Sequence, residues 1–350
     1  MFSGLPFGYM FLTVMGTGTL LSVSSIHWLS IWVGLEINLI GFLPMLVYQK
    51  SISESESAVK YFIMQALGSS FLMFGSLMAF GSSFTWDFYS DFYLSNLGLM
   101  ILMAGLCIKL GLFPFHYWLP GVMAGLPWFS CLLLTTWQKL APLFLLLCLL
   151  ELMQSYSIIY VFCMISAGSS LVGGIGGMNQ TQIRALLAYS SIGHLGWMVF
   201  AILHSEWTMK VYLMIYILIS LSMFLSLWLS DSGAMKNINN LKSPTFMQSS
   251  VMLLLLSLGG LPPLLGFIPK LMVITVGSNG PWLLIIFILI AGSLMSLFYY
   301  LSLFFSFFLS SNKKYSFDIA ETNVVSVLMI NVLNIVGGAS ILLLGLISKV

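Results

Sequence analysis

The sequence predicts an all-α, polytopic membrane protein of about eleven transmembrane helices. Three observations carry this. Only 6% of the 350 residues are charged, against about 25% in a soluble domain. The mean hydropathy is +1.04, with 59% of residues hydrophobic. The apolar residues also fall into runs of about 20, the length that crosses a bilayer core. No water-soluble fold has so little charge to cover its surface. The net charge of +2 offers no electrostatic footprint for nucleic acid. Cys107, Cys131, Cys148 and Cys163 lie in apolar runs without CxxC spacing, and read as small buried hydrophobes.

The runs are 4–23, 26–48, 58–81, 95–121, 127–150, 157–177, 182–203, 208–229, 246–276, 281–309 and 323–347. The opening MFSGLPFGYM has no basic residue. It matches neither a secretory signal nor an Arg-rich transit peptide, so the first run is expected to insert as mature structure. An odd number of spans puts the two ends on opposite sides. Lys50, Lys60, Arg184, Lys236, Lys242, Lys313 and Lys314 then share the N-terminal side, and Lys210 and Lys349 the other. The excess of basic residues on cytoplasmic or matrix loops places the N-terminus in the matrix or cytoplasm.

The second run, WLSIWVGLEINLIGFLPML, contains Glu36, the one acid inside a span. An unpaired carboxylate there would be protonated or expelled. Two readings are open: a neutral glutamate hydrogen-bonded to a neighbouring helix, or a functional acid partnered by Lys109 or Lys139. The connection SISESES reads as a solvated turn. The third run, with Tyr61 and Gln65, reads as packing, and Trp86–Asn96 as an interfacial loop.

The fourth run holds the stretch AGLCIKLGLFPFHYWLPGVMAGLP. Lys109 sits in apolar surroundings, where a charge costs roughly 2.5–3.5 kcal/mol on insertion scales. Pro114 follows, then His116, Pro120, Gly121, Gly125 and Pro127, so the helix should break here. Irregular backbone at membrane depth survives only where protein or trapped water covers it. Lys109 is therefore a candidate ion-pathway residue, or a lysine that snorkels to the interface. His116 is a candidate relay beside the break. In the fifth run Lys139 sits at mid-span beside Thr135, Thr136, Gln138 and Pro142, too deep for easy snorkelling.

The sixth run ends in GSSLVGGIGG, which lacks the GxGxxG spacing and reads as close helix packing. In the seventh, IRALLAYSSIGHLGWMVF, His194 is either a proton relay or a histidine bonded to a neighbouring carbonyl. His27 and His204 fall at span ends. The ninth run, LLLLSLGGLPPLLGFIPKLMVI, cannot form one regular helix, and Lys270 follows its break. Interrupted spans at corresponding positions point to inverted repeats. The chain thus reads as one membrane domain, 1–350. Residues 1–150 and 151–310 form two inverted five-helix repeats, each with one broken helix, and 311–350 form a loop and last helix. The match is imperfect, because Lys109 precedes its break whereas Lys270 follows its own.

The motifs WVGLEINLIGFLP, KLGLFPFHYWLP, LLTTWQKLAPL, GGMNQTQIRALLAYSSIGHLGW and LSLGGLPPLLGFIPK, in that order, cover residues 26 to 271. They resemble the mitochondrially encoded branch of the antiporter-like, proton-pumping subunit family of NADH–ubiquinone oxidoreductase (respiratory complex I). The resemblance implies an inner-membrane location and neighbouring complex I membrane-arm subunits and lipids as partners. It implies proton transfer along Glu36, Lys109, Lys139 and Lys270, with His116 matching a polar position near the first break. It implies no cofactor in this chain, with FMN, iron–sulfur clusters and ubiquinone in other subunits, where NADH oxidation would drive the pump. Leu271, Leu265 and Ala185 depart from the family pattern, none at the four titrating positions. A free-standing cation/proton antiporter, a structural spacer of the membrane arm and a quinone-reducing enzyme are the alternatives.

Overall fold

In a computed structural model, residues 7–48, 51–88, 96–152, 155–229, 245–278, 280–311, 332 and 334–339 are described. Among them the chain forms thirteen α-helices, and the only β pairing is an isolated bridge between His27 and Asp87. The helices are α1 Gly8–Ser24, α2 Trp28–Leu46, α3 Ile52–Ser83, α4 Asn96–Leu110, α5 Trp118–Gly125, α6 Trp128–Thr135 and α7 Trp137–Leu152. There follow α8 Tyr156–Met178, α9 Ile183–His204, α10 Glu206–Leu229, α11 Thr245–Gly259, α12 Phe267–Gly277 and α13 Leu283–Ser311. Each of the first ten apolar runs coincides with one helix or two consecutive ones. Seven helical stretches are long and apolar enough to cross a membrane. The eleventh run lies outside the described residues except for 332 and 334–339. Lys50, Lys236, Lys242, Lys313, Lys314 and Lys349 lie outside them as well.

Two boundaries differ from the hydropathy reading. Helix α3 starts at Ile52, so the SESES stretch is its first turns and not a turn between spans. The cause is local: the Ser51 hydroxyl accepts from Glu54 N at 3.3 Å. Ser51-x-x-Glu54 is a helix-start signature that hydropathy alone passes over. The fifth run is also two helices. Thr136 ends α6 with φ −110° and ψ −70°, and the Thr135 and Thr136 hydroxyls both turn back onto main-chain carbonyls of α6. Such back-bonding competes with the helix ladder and bends it. Pro142, inside α7, withholds a further donor from the carbonyl of Gln138.

The expected breaks in the fourth and ninth runs are present and built alike. Gly111 and Gly260 have φ +74° and +80°, values that only glycine adopts freely. Gly111 N donates to Ile108 O at 3.2 Å and Leu112 N to Cys107 O at 3.1 Å. Gly260 N donates to Ser257 O at 3.0 Å and Leu261 N to Leu256 O at 3.3 Å. Both are Schellman caps, which satisfy the last carbonyls of a helix. Counterparts lie 149 positions apart (111 and 260, 114 and 263, 120 and 269), so two prolines of each break also correspond.

By contact the chain divides into Met1–Ile158 and Ile159–Val350. In the first unit α1 crosses α2 at Gly18 and Gly34. A Cβ on Gly18 would lie 2.6 Å from Asn38 N, and one on Gly34 2.6 Å from Ser22 N. Helices without a hydrophobic drive between them associate through such small residues. Phe42, Tyr61 and Trp118 join α2, α3 and α5 edge to face, with ring centroids 5.3 and 5.7 Å apart. In the second unit the glycine cluster of α8 serves close packing, as expected. A Cβ on Gly173 would meet Gly193 N of α9 at 2.6 Å, and one on Gly174 would meet Gly292 O of α13 at 2.7 Å.

Candidate functional site

In the first unit, the polar side chains of four apolar helices converge. Lys109 stands on the last turn of α4, directly before the first Schellman cap. Lys139 stands on the first turn of α7, three residues beyond the Thr136 interruption. Both are buried, and both line one small cavity together with Tyr61, Gln65, Trp118 and Gln138. The cavity has room for about one water molecule. Gln65 of α3 donates to Lys109 O at 3.4 Å, tying α3 to the end of α4. Gln138 and Asn38 exchange two hydrogen bonds, at 2.9 and 3.1 Å, which tie α7 to α2.

Glu36 is two residues from Asn38 on α2. Its Oε1 is buried and accepts no hydrogen bond. The carboxyl lies within charge–charge range of Lys109 and of Tyr61, but no direct ion pair joins Glu36 to Lys109 among the described residues. Glu36 and Lys109 are thus electrostatic neighbours without a direct salt bridge.

In the second unit Lys270 is buried on α12 and its ammonium donates to Gly259 O at 2.8 Å. That carbonyl belongs to the C-terminal end of α11, where the helix dipole places negative charge. Lys109 lies on its first half-helix and Lys270 on its second, yet both belong to the C-terminal end of the first half-helix at a break. Lys109 is carried there by the last turn of α4, whereas Lys270 reaches back across the loop. The two motifs thus differ in which half-helix carries the lysine and agree in the helix end at which it sits.

Lys270 also lines a cavity with His194, Ser190, Ser296 and Tyr300, again with room for about one water. His194 Nδ1 is 2.9 Å from the Tyr212 hydroxyl, and its ring lies 5.2 Å from that of Tyr216. His194 is thus placed beside a lysine. His116 is not among the residues lining the Lys109 cavity. It sits in the break loop, with Nδ1 3.1 Å from Pro114 O and its ring 4.1 Å from that of Tyr117. His27 is in an exposed pair with Asp87 at 2.9 Å, and His204 Nδ1 is 3.0 Å from Phe200 O at the end of α9. Among the described residues no group of three His, Cys, Asp or Glu is placed to hold a metal ion.

Sequence reasoning read Tyr61 and Gln65 as packing, and did not single out Tyr212, Tyr216 or Tyr300. A glutamine inside an apolar run was the available signal for Gln65. For Tyr212 and Tyr216 it was the i, i+4 spacing, which puts both on one face of α10.

Solved structures share this architecture. A chain of respiratory complex I from Thermus thermophilus with bound aureothin matches with a TM-score of 0.79 at 25% identity, covering 95% of this chain and 78% of that one. A chain of the membrane-bound sulfane sulfur reductase, an archaeal respiratory membrane complex, matches in fold with a TM-score of 0.82 at 19% identity, covering 95% and 72%. Interrupted apolar helices, buried lysines at the interruptions and these fold relatives define the class: an antiporter-like helical membrane subunit.

The profile of the family described as NADH:quinone oxidoreductase/Mrp antiporter, TM, matches residues 25–296. NADH-ubiquinone oxidoreductase chain 2 of Lumbricus terrestris is 40% identical over 290 residues, 82% of this chain and 83% of that one. The protein of the same name from Anopheles gambiae is 40% identical over 312 residues, 87% of each. The chain belongs to this family, in its complex I chain 2 branch.

Proposed function

We propose that this chain is a membrane-arm subunit of respiratory complex I that carries protons across the mitochondrial inner membrane. Its N-terminus faces the matrix, and neighbouring antiporter-like subunits and lipids surround it. Glu36, Lys109, Lys139 and Lys270 hold and pass the proton. The observation that carries this reading is the sharing of one buried cavity by Lys109 and Lys139, from different helices, with Glu36 in electrostatic range. Two ammonium groups beside so little water repel one another, and a change at Glu36 alters which of them keeps its proton. Moving one charge against the field costs about 2.3 kcal/mol per 100 mV. Gain or loss of one strong contact of a buried charge, roughly 1.5–3 kcal/mol, is on that scale. The two breaks 149 residues apart support a pair of inverted five-helix repeats. Electron transfer from NADH to ubiquinone, with FMN and iron–sulfur clusters in other subunits, supplies the drive.

The test is Lys139→Ala in the assembled complex, reconstituted into liposomes. The expected result is fewer protons pumped per NADH oxidised, with the complex still assembled. An unchanged proton stoichiometry refutes the assignment.

A further inference from the structure

We infer that Tyr212 is the positioning residue that makes His194 a proton port on the Lys270 cavity. The inference rests on the proton-carrying reading above and assigns a role to a side chain which that reading does not use.

Tyr212 is 1% exposed and lies on α10, facing His194 of α9. The 2.9 Å bond occupies Nδ1, and Tyr216, one turn along α10, lies against the same ring. His194 bonds Tyr212 through Nδ1 and lines a cavity with Lys270, Ser190, Ser296 and Tyr300. The bond at one ring nitrogen decides what the other can do. When the tyrosine oxygen accepts from Nδ1–H, Nε2 carries the lone pair. A proton released by the Lys270 ammonium then forms an N–H bond at Nε2, leaving a neutral amine and an imidazolium. The tyrosine oxygen keeps accepting from Nδ1–H in that cationic state, so the charged ring stays paired. On return, the same proton leaves from Nε2 and the lone pair is restored. Tyr212 itself neither gains nor loses a proton. The titratable groups facing His194 are Tyr212 and Tyr216 of α10, Lys270 of α12 and Tyr300 of α13.

The experiment is Tyr212→Phe in the whole complex in liposomes, with protons per NADH measured from about pH 6 to pH 8. The variant keeps the ring and removes only the acceptor, so the imidazolium is harder to form. Pumping should fall at the alkaline end and recover toward pH 6, a displacement of about one to two pH units. A loss of equal depth at every pH, or no loss at any, overturns the inference. Should Tyr212→Phe not assemble, His194→Gln serves: a residue that takes no proton should lower pumping at every pH, and normal pumping overturns the inference. Lys270→Ala in parallel separates the two levels. Normal stoichiometry there sinks the proton-carrying reading itself. A deficit there with normal Tyr212→Phe sinks only the role of the tyrosine.

Discussion

Gly260→Ala should damage the second break twice over, and Gly111→Ala should damage the first only once. At both positions φ is near +80°, so an alanine carries the left-handed cost of roughly 1–2 kcal/mol. The surroundings differ. A Cβ on Gly111 would meet Leu119 Cδ1 at 3.1 Å and Trp118 Cζ2 at 3.4 Å, which small shifts relieve. A Cβ on Gly260 would lie 2.9 Å from the Lys270 ammonium nitrogen and 3.0 Å from its Cδ. The lysine must move, and its bond to Gly259 O is the contact at risk. A hydrogen bond to a charged group contributes about 1.5–3 kcal/mol. The two substitutions should therefore differ by roughly that amount in stability, with Gly260→Ala the worse. Heat-induced dissociation of the purified complex measures the stability. Proton stoichiometry in liposomes then shows whether Lys270 has been displaced. Equal losses in both variants would refute the claim that the lysine side chain rests on Gly260.

Two further outcomes follow from the first unit. Gln138→Leu leaves the buried Asn38 amide without its partner, and Asn38→Leu leaves the half-buried Gln138 amide without its own; each should destabilise the subunit by about 1–3 kcal/mol, the first more, while the double substitution should lose much less than the sum. A double-mutant cycle on thermal dissociation checks this. Gly18→Val should part α1 from α2, because even a Cβ there comes within 2.6 Å of Asn38 N. Its expected effect is failure of the complex to accumulate, read by native gel electrophoresis.

Much of this fold was legible because charge and glycine–proline clusters are rare in an apolar chain. Each lysine at mid-span and each break stood out against its background, and the described helices fall on the predicted runs. What stayed hidden depends on angle and local capping. Hydropathy tracks how far a helix runs but not which way its side chains turn, and these helices have apolar residues on every side. So it could not say that Gln138 meets Asn38, or that Tyr212 meets His194. The start of α3 was hidden differently, since a serine hydroxyl and a glutamate amide outweighed the polarity of the SESES stretch. Thr136 interrupts its span without proline or glycine, through hydroxyls that bond backwards. Lys109 and Lys270 are out of register when side chain is matched to side chain, yet each sits at the C-terminal end of a half-helix that closes in a Schellman cap, which only main-chain geometry shows.

That geometry bears on how this protein tolerates drift. The anchor for the Lys270 amine is a peptide oxygen, which every residue type supplies. Substituting Gly259 therefore leaves the tether in place, whereas a counter-charge borrowed from an aspartate could vanish with one codon. What selection must guard at this spot is narrow: the lysine itself, and the bare α-carbon beside which it lies.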